Sequence, residues 1–385
     1  MKVMPVRLFS WCFKARLSVR KLLAGLASTL VMALPVHAQG LKVIPGHVPA
    51  GMAGINPISR LPETNQLRLV VGLPLRHQEL LDQLLEELND PASTNYHRWL
   101  APEEFTERFG PTPEDYEKVV HFAESNGLTV RALASNRMLV DVAAPVTNIE
   151  TAFHVSLHLY PHPTENRNFY APDSEPSVDA SVPILHISGL DNFTLVHRLG
   201  GDIKPVPLDT NKIVAYATGS SPGGYFMGND FRAAYAPGVT NTGVGQYIAI
   251  VDVGGPYYSN DVYMYQTNAG LSTNIVITNI LLSGWTGIPI GTNYNEGEEV
   301  LDIDMAMSMA PGATIMNYEG EAHDVFNQIA SDNKAKQMTL SYGFGIDASI
   351  MQSFQQFVAQ GQAFSQASGD GGADLNGGTG LTGMP

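Results

Sequence analysis

Apolar segments that alternate with helical segments constrain the second half of this chain to a layered fold. The run QYIAIVDVGG at 246–255 is apolar almost throughout and ends in a turn, which is typical of a strand buried on both faces of a parallel sheet. Further candidate strands are NIVITNILL, TIMNYEG and QMTLSYGFG. The helical segments between or after them are EEVLDIDMAMSMAPG, DVFNQIASDN and ASIMQSFQQFVAQGQAFSQASG. The pattern predicts an α/β fold with a doubly wound parallel sheet, whose ligand site lies at the carboxyl ends of the strands.

The first half of the chain mixes short strands with amphipathic helices. RLVVGLPL at 68–75 alternates like a strand, and apolar residues recur at helical spacing in 77–90, 113–127 and 146–155. Two strand-like segments flank residues 135–136, which predicts a hairpin there. Helices and short strands in this order predict an antiparallel α+β sandwich.

The amino-acid composition changes near residue 220 and divides the chain. From Ser221 onward there are 15 acidic residues but only three basic residues and one histidine. Residues 203–223 are rich in glycine, proline and serine, which is typical of an exposed linker. We therefore predict one domain over 39–202 and a second over 224–385, joined by a cleavable connection.

The first 38 residues have the features of a secretory signal peptide. Six basic residues and no acidic ones come first, the apolar run LLAGLASTLVMALP follows, and Val36-His37-Ala38 fits a cleavage site. A single membrane anchor is the alternative, although the run is short for a span. No later stretch has the length to cross a membrane, so the mature protein is expected to be secreted. Cys12 is the only cysteine, so the mature chain cannot form disulfides.

The charge balance bears on partners and on working conditions. The sequence holds 37 acidic and 22 basic residues, a net charge of −15, and removal of the basic first segment makes the remainder more acidic still. Nucleic acid is therefore not expected as a partner. Carboxylates lose their charge as the pH falls, so such a surface repels itself least in acid, which indicates an acidic working environment.

The stretch NEGEEVLD at 295–302 concentrates carboxyl groups at the start of a predicted helix. Glu298 and Asp302 are four residues apart, which places them on one helical face, whereas Asp304 is expected to point elsewhere. Acidic residues in a first turn also complement the helix dipole, so this structural role is the alternative to a catalytic pair. Glu296 and Glu299 are interpreted as ordinary first-turn acids.

Two groups of potential metal ligands also occur. The histidines are spaced by four, which gathers ligands on a helix, but their segment HVSLHLYPH alternates like a strand and contains a proline. The acidic group in ASGDGGADLNGG at 367–378 lacks the twelve-residue calcium pattern with its closing glutamate. Surface histidines and a Gly-rich turn are the alternatives to a zinc site and a calcium site. The residues concerned are His154, His158, His162, Asp370, Asp374 and Asn376.

His323 is the only candidate histidine base after the linker. It lies beside acidic residues in EGEAHDVF, and no Gly-x-Ser-x-Gly or His-Gly-Thr motif surrounds it. A surface histidine is the alternative to a Ser-His-Asp hydrolase.

Several segments, taken together, resemble one family. YHRWLAPEEFTERFGPTPEDYEKVVHFAESNGLTV and NRMLVDVAAPVTNIETAFHVSLHLY resemble the activation prodomain of the sedolisin (serine-carboxyl, kumamolisin-like) peptidases. GNDFRAAYAPGVTNTGVGQYIAIVDVGG resembles the start of their catalytic domain, GEEVLDIDMAMSMAPGATI the helix bearing the catalytic Glu and Asp, and SQASGDGGAD the oxyanion-site strand and loop. Each motif alone is a weak indication of the family, but five motifs in the same order are a specific one.

The resemblance implies a subtilisin-like catalytic domain preceded by a ferredoxin-like prodomain. It implies that Glu298 is the general base, that Asp302 orients it, and that Asp370 helps to form the oxyanion hole. Gly371 stands where the family normally has serine. The resemblance also implies protein or peptide substrates, a prodomain that acts on its catalytic domain in cis, processing within 203–223, and calcium as cofactor. The calcium ligands of the family lie nearer its C-terminus and are absent from this chain.

The main departure from the family is the nucleophile. Family members carry the catalytic serine in a Gly-Thr-Ser segment well downstream of the oxyanion aspartate, and no such segment occurs here before Pro385. The resemblance therefore predicts a sequence that is incomplete at its C-terminus, and inactive as it stands. The alternative is a non-catalytic secreted binding or inhibitory protein derived from a peptidase precursor.

Overall fold

A computed structural model describes residues 40–198, 218–222, 224–272, 274–289 and 296–369. The predicted signal peptide and most of the predicted linker lie outside these residues. Among the helices that are described, none is both long enough and apolar enough to cross a membrane.

The elements up to residue 198 are mainly short strands and four α-helices. In chain order they are β1 (Leu41–Val43), β2 (Ser59–Arg60), β3 (Gln66–Gly72), α1 (Gln78–Asn89), α2 (Pro102–Arg108), α3 (Pro113–Ser125), β4 (Thr129–Leu133), β5 (Leu139–Pro145), α4 (Val146–Phe153), β6 (Leu157–Pro161), β7 (Asn168–Pro172), β8 (Ser177–Asp179), β9 (His186–Ser188) and β10 (His197–Arg198).

The elements after residue 218 alternate between helix and strand. They are α5 (Gly228–Tyr235), β11 (Tyr247–Asp252), α6 (Ser259–Asn268), β12 (Ile277–Leu281), α7 (Gly297–Met309), β13 (Thr314–Glu319), α8 (Ala322–Asp332), β14 (Gln337–Leu340), β15 (Tyr342–Gly343), α9 (Ala348–Gln360) and β16 (Ala363–Gln366).

Residues 40–198 are built around a four-stranded antiparallel sheet in the order β4-β5-β3-β9. Helix α3 lies between β3 and β4 in the chain, and α4 between β5 and β9, which gives the β-α-β-β-α-β order of a ferredoxin-like fold. Alternate strand residues such as Leu69, Val71, Val140 and Val142 pack with these two helices in one core. The predicted ferredoxin-like α+β domain is confirmed, and we call residues 40–198 the prodomain half.

The second half contains a five-stranded parallel sheet in the order β12-β13-β11-β14-β16. Successive residues of β11 face opposite sides. Ala249 and Val251 pack in the core that includes α8 and α9, whereas Ile248 and Ile250 pack with α6 and α7. Helices therefore cover both faces, and the predicted doubly wound α/β sheet is confirmed. We call residues 218–369 the sheet half.

The prediction of one long helix over 348–369 is wrong. Helix α9 ends at Gln360 because Gly361 adopts a left-handed conformation with φ of +68°. The chain then forms β16, which pairs in parallel with β14 and extends the sheet. Asp370 therefore follows a strand of the sheet rather than a helix.

The prodomain half is docked on α8 and α9 of the sheet half. The amide of Gln352 on α9 accepts a hydrogen bond from Leu75 N (2.6 Å) and donates one to Leu73 O (2.8 Å). Nearby, the buried Asn136 donates to Asn327 Oδ1 on α8 at 2.7 Å. Buried polar groups from the two halves thus satisfy each other's hydrogen bonds.

Candidate active site

Helix α7 carries the predicted carboxyl pair next to the carboxyl ends of β11 and β13. The helix is anchored by Ile303 and Met307, which are fully buried against the sheet. Glu298 lies in the first turn and Asp302 one turn later, so both project from the N-terminal part of the helix. The helix ends at Met309, just before Pro311.

Asp302 is held by a residue that follows β14. The hydroxyl of Ser341, which directly follows β14, donates to Asp302 Oδ1 at 2.7 Å. Burial raises the pKa of Asp302 from 3.8 to about 6; the charges of Glu298 and Glu299 add to this rise, and the Ser341 hydrogen bond opposes it. At mildly acidic pH this carboxyl exists in both protonation states, so it can hold or release a proton there.

The interpretation of Glu296 and Glu299 as ordinary first-turn acids is wrong, because both are buried. Glu299 accepts a hydrogen bond from the hydroxyl of Tyr342. Glu296 accepts one from the backbone N–H of Tyr258, and burial, followed by a hydrogen bond with Asp261, raises its pKa to about 7. Their local pattern resembles a solvated first turn, but residues about 40 positions away cover them.

A second buried carboxyl pair lies at the strand ends behind Glu299. The side-chain amide of Asn317 donates to Asp252 Oδ2 and to Glu319 Oε1, at 3.1 Å in each case. Burial raises the pKa of Asp252 well above its ordinary value, with the charges of Glu299 and Glu319 adding to it and the Asn317 hydrogen bond opposing it. Burial likewise raises the pKa of Glu319. Several carboxyl groups that favour protonation therefore surround the N-terminus of α7.

Asp304 points away from this cluster, as predicted. Its burial, followed by the charge of Asp261 on α6, raises its pKa to about 8. It belongs to the α6–α7 contact and not to the group around Asp302.

A segment of the chain itself lies beside the carboxyl pair. Residues 197–198 of β10 pair antiparallel with Tyr342 and Gly343 of β15, next to the Ser341 that contacts Asp302. An extended segment that adds a strand to a free edge is a common mode of peptide binding. The arrangement can therefore hold an extended peptide against groups that exchange protons in mild acid.

His323 forms a contact that resembles a Ser-His-Asp triad but lacks its geometry. Ser188 Oγ lies 2.7 Å and Asp347 Oδ2 lies 2.6 Å from the same nitrogen, Nε2 of His323. A triad needs the aspartate on the other ring nitrogen, where it orients the base. The contact instead joins the prodomain half to the sheet half.

The remaining predicted candidates are dispersed or lie outside the described residues. His154 caps the end of α4 and contacts Ser177 O at 2.9 Å, His158 lies in β6, and His162 lies beyond that strand next to Glu165. Asp370, Asp374 and Asn376 fall outside the described residues, so no geometry is assigned to the predicted oxyanion aspartate. Within the described part of the chain, no group of three or more His, Cys, Asp or Glu side chains could hold a metal ion.

Comparison with known proteins agrees with this architecture. The Pro-kumamolisin activation domain family matches residues 53–193, which cover the ferredoxin-like core. Xanthomonalisin from Xanthomonas sp. (strain T-22) is 28% identical over 345 residues, covering 82% of this chain and 40% of that protein. Sedolisin from Pseudomonas sp. (strain 101) is 26% identical (86% and 58% covered), and kumamolisin from Bacillus sp. (strain MN-32) is 27% identical (86% and 62% covered).

The chain resembles peptidases of the sedolisin family over 82–86% of its length. It spans less than two thirds of the length of each of these three relatives. A solved structure of Pseudomonas sedolisin, a serine-carboxyl proteinase complexed with two molecules of pseudo-iodotyrostatin, is 23% identical and covers 40% of this chain and 45% of that one. The TM-score between the two structures is 0.31.

Sequence reasoning singled out Glu298 and Asp302 but not the residues that surround them. Glu299, Glu319, Ser341 and Tyr342 were not predicted as site residues. Glu319 ends β13, and Ser341 and Tyr342 follow β14, so their positions at strand ends were the available signal.

Proposed function

We propose that this chain is part of a secreted, acid-acting serine-type endopeptidase zymogen that hydrolyses peptide bonds by a Ser-Glu-Asp mechanism. The observation that carries the proposal is the antiparallel pairing of residues 197–198 with 342–343, beside the carboxyl pair of α7. The last described residues of the prodomain half thereby take the place of a substrate strand, as expected of an inhibited precursor.

Each carboxyl has a role in this proposal. Glu298 acts as the general base that takes a proton from a serine hydroxyl. Asp302, whose pKa is raised to about 6 and whose orientation is set by Ser341, holds and shares that proton in mild acid. Asp370, when protonated, donates a hydrogen bond to the oxyanion of the tetrahedral intermediate. No serine within the 385 residues is assigned as nucleophile, because none lies in a Gly-Thr-Ser segment.

The first 38 residues and the linker complete the proposal. Residues 1–38 direct export and are removed, and cleavage within 203–223 separates the prodomain from the catalytic domain. Calcium binding stays a prediction of the family resemblance, and no step is assigned to it.

Two substitutions test the roles of the pair. The protein is expressed from its own gene together with any coding sequence that follows residue 385, and hydrolysis of fluorogenic peptides is measured between pH 3 and 7. Glu298→Gln and Asp302→Asn should each lower the cleavage rate at least about 100-fold, since each removes a proton-transfer group, while the fold is retained.

Two outcomes would contradict the proposal. Retained cleavage in either variant would remove that residue from the mechanism. A protein that cleaves nothing at any pH but binds and inhibits another peptidase would instead support the non-catalytic alternative. N-terminal sequencing after acid incubation checks processing, since the intact precursor should give way to a new N-terminus within 203–223.

A further inference from the structure

His47 is a buried histidine held in one neutral form by two backbone groups. Its side chain is 2% exposed. Nδ1 lies 3.0 Å from the carbonyl oxygen of Ile44, and Nε2 lies 3.0 Å from the backbone N–H of Ile187. A carbonyl can only accept and an N–H can only donate, so Nδ1 carries the proton and Nε2 presents a lone pair.

The strand that His47 holds also connects the two halves. Ile187 lies in β9, the edge strand of the prodomain sheet, between His186 and Ser188. His186 Nε2 lies 3.2 Å and Ser188 Oγ lies 2.7 Å from Asp347 Oδ2 in the sheet half. The ring of His47 also stacks on that of His186, with centroids 4.3 Å apart. His47 therefore contacts the strand whose residues His186 and Ser188 bind Asp347.

We propose that His47 is an acid trigger, whose protonation on Nε2 releases β9 and the segment that follows it from the sheet half. A proton on Nε2 would point a donor at the N–H donor of Ile187, so that hydrogen bond is lost. It would also place a positive charge against the face of His186. The consequence of this release rests on the proposed function. The released segment would uncover the edge of β15, with which residues 197–198 pair.

Other titratable groups lie near His47 and near its neighbour His186. Glu175 Oε2 lies 3.6 Å from His47 Nδ1 and would favour a charged ring, but it lies on the Nδ1 side and offers nothing to a proton on Nε2. Beyond His186 lie Asp347, His323 and Asp191. Burial would raise the pKa of Asp347, but hydrogen bonds from His186 and His323 hold that pKa well below its ordinary value, so this carboxylate stays charged in acid.

The charge of Asp347 makes the effect of protonating His47 different from that of protonating His186 or His323. Protonation of His186 or His323 beside the charged Asp347 would strengthen the contact between the halves. Protonation of His47 breaks a hydrogen bond without forming one. The trigger is therefore the histidine farthest from the carboxylate, and not the two that touch it.

The pH at which release should occur follows from the burial of His47. Burial, followed by the charge of His186, lowers the pKa of His47 from 6.5 to about 4. The stability that neutral His47 contributes is complete above about pH 6.5 and is lost as the pH falls towards 4. We expect the segment to open as the pH falls from about 6.5 towards 4.

Hydrogen exchange on the full chain, corrected for intrinsic rates at each pH, tests the inference. Between pH 7 and 3, protection of residues 186–198 and 341–347 should disappear as the pH falls from about 6.5 towards 4, while β11 stays protected. In His47→Gln the amide oxygen can still accept from Ile187 N–H but cannot become charged, so the midpoint should fall by at least one pH unit. His121→Gln, an exposed position on α3, should behave as the wild type.

Several results would overturn the inference. One is a His47→Gln protein that opens at the wild-type midpoint, and another is a midpoint that moves downward in His186→Gln or His323→Gln instead. If His47→Gln fails to fold, the titration of His47 in the wild type, followed by NMR with ¹³C-labelled histidine, must coincide with opening; separate midpoints would refute the trigger. Since exchange is read and not cleavage, an inactive protein would contradict the proposed function but leave this inference standing.

Discussion

Buried carboxyl groups dominate the chemistry of this chain at the scale of single residues. Burial is the main reason that the pKa values of several of them lie above their ordinary values: Asp252, Glu296, Asp302, Asp304 and Glu319. A group whose pKa is raised on folding stabilises the fold fully below its unfolded value, near pH 4, and loses that contribution as the pH rises through its folded value. The raised pKa values of these carboxyl groups should therefore make the sheet half more stable in acid than at neutral pH.

Asp304 offers a clean test, since it lies outside the proposed catalytic group. Its pKa rises from 3.8 to about 8, which corresponds to about 4 kcal/mol of lost stability at pH 7. Asp304→Asn should therefore raise the free energy of unfolding at pH 7 by up to about 4 kcal/mol and change little at pH 3. Urea unfolding at pH 3, 5 and 7 measures this.

The matched control is Glu114→Gln, the same chemical change in the exposed first turn of α3. We expect it to alter the free energy of unfolding by less than about 0.5 kcal/mol at every pH. An Asp304→Asn protein that is less stable than the wild type at pH 7 would contradict the assignment.

At the scale of elements, the end of α9 decides both the sheet and the contact between the halves. Gly361 ends the helix in a left-handed conformation, and a Cβ added there would lie 2.6 Å from the ring of Trp99 in the prodomain half. The same glycine thus permits β16 to begin and Trp99 to pack closely.

Two glycine substitutions separate these effects. Gly270, just after α6, has φ of +64° and no atom within 4 Å of an added Cβ, so Gly270→Ala carries only backbone strain. It should cost about 1 kcal/mol, whereas Gly361→Ala should cost about 2–3 kcal/mol because the Trp99 ring must also move. Thermal unfolding gives the costs, and Trp99 fluorescence in a background that carries both Trp11→Phe and Trp285→Phe should change only in Gly361→Ala.

Equal costs for the two substitutions, or an unchanged Trp99 signal in Gly361→Ala, would show that the packing of Trp99 on α9 is not required.

For the whole molecule, pH acts in opposite directions on the fold and on the contact between its halves. The carboxyl groups of the sheet half favour folding in acid, whereas the proposed protonation of His47 loosens the prodomain half there. A zymogen built this way would keep its catalytic core folded while its inhibitory segment departs.

The hydrogen bonds of Gln352 test how much the contact contributes at neutral pH. Gln352→Ala leaves Leu75 N–H and Leu73 C=O without their partner at a buried contact, which should lower the free energy of unfolding by about 3 kcal/mol. Gln355→Ala, one turn along on the same helix and half-buried, is the matched control and should cost less than about 1 kcal/mol.

Chemical unfolding at pH 7 measures both variants. Equal effects of Gln352→Ala and Gln355→Ala would contradict the role given to the contact.

Much of the architecture follows from local patterns. Helices α1, α3, α4 and α7 and the buried strands β3, β11 and β13 lie where periodicity placed them, since helical and extended backbones repeat their side-chain directions every 3.6 and 2 residues. The spacing of Glu298 and Asp302 likewise sufficed to place both on one turn of a helix. The order of elements indicated both sheets.

The tertiary structure alone decided which polar groups are buried and what they meet. Glu299 meets Tyr342 from 43 residues away, and His47 meets Ile187 from 140 residues away. Gly361 ended a helix that apolar spacing alone would have continued. The sequence determines backbone periodicity through neighbours, but the free energy of a buried carboxyl or histidine depends on partners that only the fold brings near.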